Sequence, residues 1–238
     1  GVTAAATPPI YSHTMTTTDT SPTDGHSVPP TASPDGRAAL LSATYFGPVQ
    51  WYQKLHRHRC VVECCDHFVK QTYRNRCVIA AANGPQTLTV PVERTDGGKT
   101  PMRDVLISDH GNWRHLHWNA LVAAYGETPF FEFYADDLRP YFERKWKYLL
   151  DFDLDITDTV CRLLDVRPDM SLSTSYTDGT DPRYDDFRDA IRPKHPLPDP
   201  TFSPQPYYQV RAARHGFLPN MSILDLLMNE GPEGIFHL

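Results

Sequence analysis

Hydrophobic positions are unevenly spread along this chain. Residues 1–36 are rich in Thr, Pro, Ser, Ala and Gly and carry almost no large apolar side chain. Such a segment buries too little surface to offset its ordering entropy, so it reads as a disordered tail, with Met15 a candidate start. The apolar run 38–46 then reads as a buried strand, broken by Gly47-Pro48. Residues 49–58 follow a helical period, with Val49, Tyr52, Gln53 and His56 on one side. A second strand is expected over 60–68. Two β-rich runs, 70–82 and 86–92, then flank Asn83-Gly84, the dipeptide that supplies the positive φ of a tight hairpin turn. A turn over 96–101 leads to a short strand at 105–107.

Beyond this point the period becomes helical. Asp109 is placed to cap a helix running to about Tyr125, with Gly126 just past its end and Pro129 beyond. Its apolar stripe is Trp113, Leu116, Ala120, Leu121 and Ala124, and His117 lies on it. Pro140 suits the first turn of a helix bearing Tyr141, Phe142, Trp146 and Leu149, and a further helix is expected over 155–164. The Pro-, Asp-, Ser- and Thr-rich stretch 168–206 reads as a long irregular excursion, and 207–210 as a last strand. Ser222 with Asp225 approximates a capping box for a final helix that Gly231-Pro232 stops. The fold class follows as α/β: a tail over 1–36 and a single domain over 37–238. Its mixed sheet comes from the N-terminal half and is packed by helices of the C-terminal half.

Composition narrows the partners. The 238 residues carry a net charge of −6, against the basic field that general nucleic-acid or anionic-membrane binding needs. Five cysteines without disulfide-framework spacing indicate reduced thiols and a cytoplasmic location. No apolar run reaches transmembrane length. Eleven histidines invite a metal reading, but the best pair, His115 and His117, lies about 200° apart on a helix, so no metal site is assigned. The residues name no cofactor.

Against the acidic background the basic run 70–76 stands out. Read as an extended strand, it places Lys70, Thr72, Arg74 and Arg76 on one face and Gln71, Tyr73 and Asn75 on the other. Cations on one face make a site for a phosphate or carboxylate; a solvated edge-strand face is the rival reading. Asp66, beside this run, is a candidate base or an orienting group for Arg74. His117 is a candidate acid/base or a satisfied core histidine. Tyr45 and Tyr73 are candidates to stack on a sugar or base, or to fill the core. His215 lies in a loop, and Asn220 stands near a helix start whose free amides suit an anion. The expected ligand is thus a small molecule bearing phosphate or carboxylate, such as a nucleotide-sugar or acyl donor.

These residues also carry a resemblance. Tyr45-Phe46-Gly47-Pro48, the run from Lys70 to Arg76, Asn83-Gly84, Leu88-Thr89-Val90-Pro91-Val92, His117-Trp118, Pro129-Phe130-Phe131-Glu132-Phe133-Tyr134 and the closing run 216–232 together look like the WbqC-like protein family. Gly47 departs from it, where a second proline is expected. The resemblance implies a role beside surface-polysaccharide genes such as O-antigen loci, and carries no settled catalytic residues. Two functions follow as expectations. One is a transferase that acylates or aminoacylates a nucleotide- or lipid-linked amino sugar. The other is a non-catalytic scaffold for polysaccharide-assembly enzymes.

Overall fold

The computed structural model describes residues 36–94, 97 and 99–238. The tail expectation, Gly36 excepted, and part of the turn at 96–101 lie outside the described residues. The α/β class holds, and parallel and antiparallel strands both occur, divided between two sheets. β1 (Ala38–Ser42), α1 (Val49–Arg57) and β2 (Cys60–Glu63) form a parallel βαβ unit, in register from Ala39↔Cys60 to Ser42↔Glu63. β5 (Met170–Leu172) extends the sheet beside β2, and β6 (Tyr184–Asp186) pairs with the other side of β1, both parallel. The order is therefore β5-β2-β1-β6. Two of its strands come from the stretch read as irregular. Each has only three residues, too few for a period to register.

β3 (Arg76–Ala81) and β4 (Gly84–Thr89) form the separate antiparallel hairpin. Gly84 supplies the expected positive φ, at 107°. The strand expected over 70–76 is corrected: residues 70–75 form turns and β3 begins at Arg76. Gln71 takes φ 62°, Thr72 Oγ1 donates to the Val69 carbonyl at 2.7 Å, and Arg74 folds back onto Asp66. A local ion pair overrode the alternation, so the cations do not share a strand face.

The helices are α2 (Trp113–Tyr125), α3 (Phe131–Leu138), α4 (Pro140–Glu143), α5 (Leu149–Leu163), α6 (Ala212–His215) and α7 (Ile223–Glu230). Asp109 does not cap α2; its carboxylate pairs with Arg114 and Lys145, each at 2.7 Å, and a turn at His110–Asn112 intervenes. Trp146 lies between α4 and α5, and residues 207–210 form no strand. Ser222 does cap α7, accepting from Leu224 N at 3.3 Å, while its hydroxyl donates to the Phe46 carbonyl at 2.8 Å. That bond ties α7 to the break between β1 and α1. Gly47 is required there, because a Cβ would stand 2.4 Å from Thr44 Oγ1. Apolar side chains from the sheet, the hairpin and the helices share one contiguous core, in which Phe46 stacks on Phe142 and Tyr45 on Phe152.

Candidate functional site

In open parallel sheets, ligands bind outside the carboxyl ends of the strands where the connections diverge. Here the chain moves from β1 to β2 and β5 on one side and adds β6 on the other, so that point lies between β1 and β6. A small cavity sits there, about 10 Å³ in volume, room for one water. Polar residues in its wall are Ser42 at the end of β1, Thr44 just beyond it, Thr72 and Arg74 from the turns, and Arg188 just after β6; Tyr73, Phe187 and Ile191 add apolar surface.

The electrostatic centre is the buried pair Arg74–Asp66. Arg74 Nη2 donates to Asp66 Oδ2 at 2.5 Å and Nη1 to Thr72 Oγ1 at 3.3 Å. Burial raises the Asp66 carboxyl above its ordinary value, with Arg74 pulling the other way. The network is incomplete. Asp66 Oδ1, Arg74 Nε, Ser42 Oγ and Thr44 Oγ1 are buried without hydrogen-bond partners. Asp153, on α5 and fully buried, leaves both carboxylate oxygens unpartnered, and burial drives its carboxyl far up, offset in part by Arg74. Buried polar atoms in native proteins are almost always satisfied, and of the unpartnered ones among the described residues Ser42 Oγ, Thr44 Oγ1 and Arg74 Nε belong to residues that border this one cavity, which marks it as a candidate ligand site.

The other candidates divide. Tyr73 joins Arg74 at the cavity, and its carbonyl accepts from Tyr45 N at 2.9 Å. Tyr45 and His117 pair with each other: the hydroxyl lies 2.9 Å from Nδ1, and the imidazole also bonds the Thr89 backbone. Burial holds His117 down to about 4, so it is neutral at pH 7 and its partners are satisfied. Lys70 is exposed. Asn75 fastens the base of the hairpin through Val90, its Nδ2 donating at 2.9 Å, and Arg76 is half-buried at the start of β3. His215 Nε2 lies 2.8 Å from the Ala82 carbonyl, on a different cavity with Tyr125 and Asp225. Asn220 serves α1, not α7, accepting from Gln50 N at 3.0 Å. The sequence reading missed Ser42, Thr44, Asp153 and Arg188. Among the described residues no group of three or more His, Cys, Asp or Glu is placed to hold a metal ion, and no helix is long and apolar enough to cross a membrane.

A family model described as the WbqC-like protein family matches residues 44–189, a span that includes Asp66, Arg74, His117, Asp153 and Arg188 and stops short of His215 and Asn220. An uncharacterized protein of Mycobacterium tuberculosis is 27% identical over 188 residues, covering 70% of this chain and 81% of the relative. No solved structure matches.

Proposed function

The chain belongs to the WbqC-like protein family, and from that premise we propose a cytoplasmic transferase of surface-polysaccharide assembly. Its substrate is a nucleotide- or lipid-linked amino sugar whose amino group is acylated or aminoacylated. One observation carries the reading: Arg74, a buried guanidinium with an unpartnered Nε, faces a cavity at the divergence point of a parallel sheet. Arg74 grips the phosphate, Tyr73 borders the sugar, and Asp66, with Oδ1 unpartnered and its affinity for a proton raised by burial, is the base that takes the proton from the amine as its nitrogen bonds to the donor's acyl carbon and the donor's thiolate or adenylate leaves.

Thermal-shift measurements on the full chain, with nucleotide-sugars, coenzyme A esters, aminoacyl adenylate analogues and simple phosphate, test it. The expected result is a stabilising ligand that loses its effect with Arg74→Ala. With that ligand, Asp66→Asn should lower turnover at least about 100-fold and leave binding largely intact. A ligand that stabilises wild type and Arg74→Ala alike sinks the reading and moves the scaffold function to the front.

A further inference from the structure

Arg188 stands two residues past the end of β6, at the point where the parallel sheet divides. Its guanidinium is fixed from one side. Nε and Nη2 donate to the two Asp186 oxygens at 2.9 and 2.8 Å, and Asp186 Oδ1 also accepts the Arg188 backbone amide at 3.0 Å. The Tyr176 ring lies 6.0 Å away. Gly179 makes the room: a Cβ there would stand 2.5 Å from Asp186 Oδ2 and 3.3 Å from Arg188 Nη2. The side chain is only 12% exposed. Asp186 itself is exposed, and an ion pair in contact with water returns little stability, so its fixed geometry asks for another use.

That use is visible in what the cavity lacks. Arg74 Nε, Ser42 Oγ and Thr44 Oγ1 are buried and unpartnered, and Arg74 and Thr44 are 6% and 2% exposed. Arg188 and Arg74 border the same cavity and both act electrostatically on Asp66. Donors thus converge from β1, from the turn at 72–74 and from the end of β6, which is to say from more than one plane. A flat carboxylate satisfies donors lying near its own plane, whereas a tetrahedral phosphate accepts from several directions. The cavity has space for about one water, enough for the tip of an anion and too little for a ring.

We infer that Arg188 is the second anion-binding residue of this pocket, gripping together with Arg74, Ser42 and Thr44 the projecting oxygens of a phosphate on a ligand whose body stays outside. This rests on the anion reading proposed for Arg74. Asp186 is a positioning residue, setting the Arg188 fork before the ligand arrives.

Isothermal titration of the full chain with inorganic phosphate and with acetate tests it. Wild type should bind phosphate more tightly than acetate, and Arg188→Gln should weaken phosphate by at least about tenfold. Arg188→Lys should fall between, since it keeps the charge and loses the fork. Arg183→Gln, a surface control, should match wild type. Arg188→Gln that is folded by circular dichroism and binds phosphate like wild type, while Arg74→Gln does not, overturns the assignment and leaves the Arg74 reading standing. Should Arg188→Gln fail to fold, Thr44→Val decides: a several-fold loss supports the pocket and an unchanged affinity overturns it. Acetate binding at least as tightly as phosphate overturns the phosphate class. No response of wild type to either anion removes the anion reading itself.

Discussion

Two buried ion pairs of this molecule look alike and are built differently. Lys54–Asp199 joins α1 to the segment after β6 at 2.7 Å, and Arg74–Asp66 joins the turns before the hairpin to the segment after β2 at 2.5 Å. Lys54 Nζ also donates to Thr201 Oγ1 and Gln53 Oε1, and Asp199 also accepts from Gln50 and Thr201. Burial pushes the Asp199 carboxyl up, but its donors outweigh that and hold it below the ordinary value. Asp66 ends above it. A saturated pair is a fastening. A pair left open on both partners, beside further orphan donors, is a place where a ligand completes the network.

The largest effect should come from breaking the fastening. Lys54→Met leaves Asp199 buried and unpaired and should cost about 3–5 kcal/mol in urea unfolding. Adding Asp199→Leu should restore most of it, because two apolar groups leave no uncompensated charge. A loss under about 1 kcal/mol for Lys54→Met would show that the segment after β6 is not held there.

Next in size is a pH effect from the other saturated network, Tyr45–His117. Folding lowers His117 from 6.5 to about 4, so between these values the unfolded chain takes up the proton and the folded one does not. Its contribution is therefore complete above about pH 6.5 and lost as pH falls toward 4, by about 3 kcal/mol. His117→Gln should flatten that part of the stability-against-pH curve and leave phosphate affinity unchanged. An equal slope in the variant would assign the effect elsewhere.

The sequence announces elements whose signal is local. α1, the Asn83-Gly84 hairpin and the Ser222-capped α7 each carry a period and a stop within one stretch. β5 and β6 are legible only through their register with β2 and β1, more than a hundred residues away in sequence. The same limit governs the site. Asp66 and Arg74 are eight residues apart, so their contact is a local one, although it forms across turns where the sequence suggests a strand. Arg188 was hidden because a short Tyr-Asp-Asp strand inside a proline-rich stretch delivers it. Asp153 was hidden because nothing in a helical heptad says that a carboxylate will be left without a donor.

Arg74→Met should cost less than Lys54→Met, about 1–2 kcal/mol, because burial raises the Asp66 carboxyl, and without the guanidinium to oppose it Asp66 relieves the orphaned charge by taking a proton. Phosphate binding should disappear. A stability loss equal to that of Lys54→Met would mean that both pairs are fastenings, and the contrast between them would fail.

The smallest effect is the most discriminating, since it compares one hydroxyl in each network. Thr44 Oγ1 is buried with no partner, whereas Thr201 Oγ1 accepts from Lys54 at 2.7 Å. Val has the shape of Thr without the hydroxyl. At position 201 the change removes a hydrogen bond to a charged donor and should cost about 1–2 kcal/mol. At position 44 it removes an unsatisfied polar atom and should be neutral or stabilise by up to about 1 kcal/mol, while weakening phosphate. That opposition of stability and binding is what an open network predicts, because an orphan donor is a cost until its ligand arrives. If Thr44→Val destabilises as Thr201→Val does, the hydroxyl already has a partner such as a bound water, and the pocket is filled by the fold rather than kept for a substrate.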